Sequence, residues 1–131
     1  MGVAVATHEQ CVLLPKQFGY ACEKYAAAVR LLATQPGDVR SRLRRAAAQV
    51  CRISPAFVPE VTKIRSDVVW VLAQLSKHNS RYPGQSRLDA TLDRIRNTTA
   101  TRIAERILNI HVNLDGLSYW TRPCARCGSP R

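Results

Sequence analysis

Apolar residues recur along this chain at steps of three and four, and that spacing admits one kind of regular structure. Phe18, Cys22, Tyr25, Val29 and Leu32 fall on one face of a helix. Val39, Leu43, Ala46 or Ala47, Val50 and Ile53 repeat the pattern, as do Val61, Ile64, Val68, Leu72 and Leu75. Leu88, Leu92 and Ile95 follow, then Ile103, Ile107, Ile110 and Leu114. Aromatic residues are few, so the core is expected to consist of Leu, Ile, Val and Ala, which suits packed helices. The reading is an all-α fold: a single-domain bundle of four to five amphipathic helices. Its 131 residues suffice for one independent core.

Breakers and caps divide the chain. Residues 1–15, ending at Pro15, read as an N-terminal arm, 16–116 as the helical bundle, and 117–131 as an irregular C-terminal tail. The first helix is expected from about Lys16 to Thr34, stopped by Gln35-Pro36-Gly37. Asp38 sits at an N-cap, and the second helix runs to about Ile53. Pro55 and Pro59 bracket an irregular link through Phe57, and the third helix spans about Glu60 to Lys77. Trp70 lies off its apolar line and marks either a second packing neighbour or an interface. Ser86 and Asp89 open a fourth helix as a capping-box pair. The poor helix formers from Asn97 to Thr101 predict a break, followed by a fifth helix from about Ala100 to Leu114 that Asp115-Gly116 ends.

Charge is the strongest global signal. Lys and Arg number 20 against 9 Asp and Glu, a net +11, and sixteen of the cations are Arg. A balance of this kind attracts polyanions, and Arg suits bidentate phosphate or carboxylate contact. Codon bias in a GC-rich genome would explain Arg in place of Lys but not the shortage of acids. Arg40, Arg42, Arg44, Arg45 and Arg52 cluster on the second helix, and no acid lies between Val39 and Pro59. These five are the expected phosphate ligands, making sequence-tolerant contact with the nucleic-acid backbone. A second set, Arg87, Arg94, Arg96, Arg102 and Arg106, is interleaved with Asp89, Asp93 and Glu105 and is expected to be partly neutralised within its own helix. Tyr82 and Trp120 could stack on bases, and Trp70, Tyr82 and Trp120 are the candidate interface anchors. The link between the second and third helices is too long for a helix-turn-helix.

Arg106 and His111 are separated by four residues. The spacing resembles the signature of the HEPN ribonucleases, an all-helical family. The resemblance implies metal-independent RNA cleavage, with Arg106 and His111 as the catalytic pair and His111 moving the proton. Ile107 departs from the polar residue that the family places after its Arg. A five-residue step also turns two side chains about 140° apart on a straight helix. Cys124 and Cys127 form a lone Cys-x-x-Cys, two of the four ligands a zinc site needs. No Gly-rich phosphate loop and no paired carboxylates beside a base are visible, so the pattern points to binding ahead of catalysis and implies no cofactor.

Without a leader or an apolar run of membrane-spanning length, the chain reads as a cytoplasmic protein with reduced thiols. The expected function is that of a small basic accessory or adaptor subunit of a larger assembly. Its partner would be a nucleic acid, RNA or DNA, or an acidic protein surface, and no membrane.

Overall fold

The computed structural model describes residues 15–60 and 63–120, the side chains of 118–120 excepted. It is all-helical among those residues: α1 (Phe18–Thr34), α2 (Val39–Val50), a short 3-10 turn (Pro55–Phe57), α3 (Ile64–Leu75), α4 (Arg87–Arg94) and α5 (Asn97–Trp120). They form one bundle in which α5 packs against α1, α2 and α3. Ile103, Ile107, Ile110 and Leu114 of α5 are buried against Leu43, Val50, Ile53 and Val68 in a single core. No helix among the described residues is long and apolar enough to cross a membrane.

The most extensive helix pair is α1 with α2, and its chemistry is that of alanine. The deepest line of α1 is Phe18, Ala21, Tyr25 and Ala28, facing Leu43, Ala46, Ala47 and Val50. Cys22, Val29 and Leu32, expected on the inner face, are only partly buried. The helix is rotated so that its methyl side chains point inward. Small side chains let two helix backbones approach closely, and the larger residues then flank the seam.

The α1–α2 corner requires Gly37. Its φ is +100°, and a Cβ there would sit 3.1 Å from the Ser41 Cβ. Asp38 then caps α2, its Oδ1 accepting from the Ser41 amide at 2.9 Å. That bond, with lesser help from Asn97 and Arg40, holds the Asp38 carboxyl below its ordinary value. α2 stops at Val50, short of Ile53. Pro55 disfavours helical geometry at Ser54, whose ψ is 145°, and the Ser54 hydroxyl accepts from the Ala56 amide to open the 3-10 turn.

α3 starts at Ile64, later than expected, and Val61 lies outside the described residues. The chain after α3 is pinned to α4, for the His78 amide donates to the buried Thr91 hydroxyl at 3.0 Å. Ser86 caps α4 by accepting from the Asp89 amide at 3.0 Å, as its sequence signature indicates.

The second half departs from expectation at both ends of α5. The break falls at Ile95, whose ψ is 154°, and not at Asn97–Thr101. Asn97, Thr98 and Thr99 form the first helical turn, where amides need no intrahelical acceptor. The Thr101 hydroxyl donates back to the Asn97 carbonyl at 2.9 Å. The helix also passes through Asp115-Gly116 to Trp120, so Leu117 to Trp120 are helical and not tail. Gly116 has no positive φ, and Leu117 packs against the core beyond it, which favours continuation over a cap.

Three outcomes follow. The native Asp38 carboxyl is more acidic than in the unfolded chain, so its stabilising effect is present in full above 3.8 and is lost as pH falls through the depressed value. Asp38→Asn keeps a cap acceptor that does not titrate, so acid titration followed by circular dichroism should show a smaller loss of stability for the variant. Separately, Leu43→Ala should cost about 3 kcal/mol in urea melts, because Leu43 is fully buried at the centre of the seam. Tyr25→Phe should be neutral or stabilising, since the buried Tyr25 hydroxyl has no hydrogen-bond partner among the described residues.

Candidate nucleic-acid interface

The five arginines expected to hold phosphate divide into two kinds. Arg40 donates through Nη1 to the Ile95 carbonyl at 3.2 Å, tying the start of α2 to the α4–α5 corner. Arg42 donates to the Leu32 carbonyl at 3.0 Å and so satisfies the last turn of α1. Arg44 reaches across to α4 with both terminal nitrogens, to Asp89 Oδ1 and Asp93 Oδ1, each at 2.7 Å. Three of the five expected phosphate ligands therefore already hold helices together. Arg45 and Arg52 are exposed and make no polar contact with other described residues.

The Arg44 clamp changes the reading of the second basic set. The sequence suggests that Asp89 and Asp93 pair along their own helix toward Arg96. In the structure Arg44 takes both, and Asp93 Oδ2 also accepts from Gln85 at 3.3 Å. Arg87, Arg96 and Arg102 are left exposed with no polar contact among the described residues. Arg94 Nη1 lies 3.3 Å from His78 Nδ1. The remaining ion pairs among the described residues are Arg65 with Glu60 and Arg106 with Asp67.

At the α3–α4–α5 corner these residues enclose a cleft of about 380 Å³. Lys77 and His78 follow α3, Arg94 and Arg96 flank the break at Ile95, and Thr98 and Thr99 belong to the first turn of α5. Gln74 and Ile95 complete the lining, which contains no carboxylate. Asp38, on the α2 side, is engaged by Ser41.

The expected aromatic anchors fall in different settings. Tyr82 is 60% exposed at the loop tip before α4. Trp70 is partly buried, and the Arg106 guanidinium lies 4.4 Å from its ring centroid. Trp70 is thus packed onto a second helix and not presented to solvent as an anchor. The side chain of Trp120 lies outside the described residues.

Arg106 and His111 are not brought together. Arg106 faces α3, bonded to the buried Asp67 at 3.0 Å and stacked on Trp70. His111 lines a cleft of about 260 Å³ on the α1 side, with Cys22, Glu23 and Asp115. Burial pushes the Cys22 thiol up to about 11, and the Asp115 charge adds to the effect, so the thiol is protonated at neutral pH. No cluster of three metal-ligating side chains exists among the described residues, and Cys124 and Cys127 lie outside them.

No family model matches the chain, and no curated protein or solved structure is similar to it.

The Cys22 and Cys51 thiols should differ in reactivity. Peptide mapping after brief alkylation at mildly alkaline pH should find the exposed Cys51 modified well before Cys22. Equal rates would contradict the protonated, half-buried state of Cys22.

Proposed function

We propose that this protein binds nucleic acid through its phosphate backbone, without reading sequence, as a small accessory component of a larger assembly. The observation that supports this reading is the distribution of charge. Only Arg44, Arg65 and Arg106 are in ion pairs among the described residues, so most of the excess charge faces solvent. Exposed guanidinium groups displace counterions condensed on a polyphosphate, which gives salt-dependent, sequence-tolerant affinity. The contact set differs from the one suggested by sequence. Arg45 remains from α2 and Arg52 from the turn after it, and Arg87 and Arg102 join them from α4 and α5.

Backbone contact also fits the rigidity of the surface. The exposed arginines project from helices and from a corner held by hydrogen bonds. Phosphate contacts position a protein on a strand without specifying bases. The exposed Tyr82 is available to stack, which every base permits.

Fluorescence anisotropy against labelled single-stranded RNA, single-stranded DNA and duplex DNA, over a series of salt concentrations, tests the proposal. Wild type should bind with affinity that falls steeply with salt. Arg45→Glu/Arg52→Glu/Arg102→Glu should melt like wild type, lose most of its affinity and show a salt slope shallower by about 2. Unchanged affinity in the triple variant, or no binding by wild type at low salt, would overturn the assignment and turn attention to an acidic protein partner.

A further inference from the structure

The cleft at the α3–α4–α5 corner differs from the open arginine surface around it. It is concave, three basic side chains line it, Lys77 from the segment after α3 and Arg94 and Arg96 from either side of the break at Ile95, and no carboxylate does. We propose that it is a phosphate-monoester site that seats the terminal phosphate of a nucleic-acid strand. The proposal rests on the nucleic-acid reading above and assigns one particular contact within it.

The chemistry of the lining selects a monoester over a backbone diester. Lys77, Arg94 and Arg96 supply three positive charges, and a terminal phosphate near neutral pH carries up to two negative charges where an internal phosphodiester carries one. The Thr98 and Thr99 hydroxyls are additional donors. Thr98 and Thr99 belong to the first turn of the 24-residue α5, and the aligned peptides of such a helix favour an anion at its N-terminal end.

Shape agrees with charge. A volume of about 380 Å³ exceeds what a phosphate needs and falls at the small end of ligand clefts, which span about 300 to 1,000 Å³. It accommodates a phosphate with part of its sugar, and Ile95 offers the sugar an apolar wall. An internal phosphate would have to bring chain in on both sides. Asp93, next in sequence to Arg94, is paired with Arg44 and is not among the lining residues.

The test compares one labelled single strand carrying a 5′-phosphate, a 3′-phosphate or hydroxyl ends, titrated into wild type and into Lys77→Gln/Arg96→Gln. Neither side chain makes a polar contact with another described residue, and a thermal melt confirms that the variant is folded. Wild type should bind one phosphate-ended strand about tenfold more tightly than the hydroxyl-ended strand. The variant should lose that preference yet still bind the hydroxyl-ended strand through the arginine surface. Equal binding of all three strands by wild type overturns the cleft assignment and leaves the backbone reading standing. Failure to bind any of them overturns the backbone reading and the strand-end assignment together. Inorganic phosphate and adenosine monophosphate serve as competitors. A need for large excess supports the strand end, whereas displacement at concentrations comparable to the strand overturns it in favour of a free nucleotide.

Discussion

Arg44 bridges the two carboxylates of α4, and much of the surface chemistry depends on that bridge. Each arm is 2.7 Å long, and the partners lie one helical turn apart, so a single guanidinium meets Asp89 and Asp93 together. The pairs are about half-exposed, which limits their contribution to stability to the modest range of surface ion pairs. Their larger effect is on charge placement. A chain with 9 acids cannot neutralise every basic face, and assigning two of them to α2 leaves α4 and the start of α5 positive.

The alanine seam between α1 and α2 sets this arrangement up. Ala21, Ala28, Ala46 and Ala47 are fully buried, so α2 lies close against α1. In that position the Arg42 side chain reaches the Leu32 carbonyl at the end of α1, and Arg40 reaches the Ile95 carbonyl at the α4–α5 break. The break at Ile95 turns the chain into α5 and places Arg94 and Arg96 on either side of it. Packing thus decides which cations support the fold and which face solvent.

Much of the fold was legible in the sequence. The three-four spacing located every helix, Asp38 and Ser86 marked two starts, and Gln35-Pro36-Gly37 marked a stop. The errors have local causes. Alanine weighs little as an apolar residue, so the sequence pattern favours Cys22 and Val29 for the inner line where Ala21 and Ala28 are deeper. Asn97 to Thr99 are poor interior helix formers but acceptable in a first turn, which moved the expected start of α5 downstream. Gly116 looked like a terminator because the packing of Leu117 beyond it is a tertiary fact. The site was less legible. Arg44 is 45 and 49 residues from its partners, beyond any pattern along one helix. The corner cleft draws on three elements, and only the folded chain brings Lys77 to Arg96.

The account stands on the claim that Asp89 and Asp93 belong to Arg44 and not to their own helix. A double-mutant cycle on folding stability, combining Arg44→Met with Asp89→Asn/Asp93→Asn in urea melts, measures this directly. The account predicts a coupling energy of about 1 kcal/mol, reduced by added salt. Effects that add to within about 0.3 kcal/mol would contradict it, returning the two carboxylates to the arginines of α4.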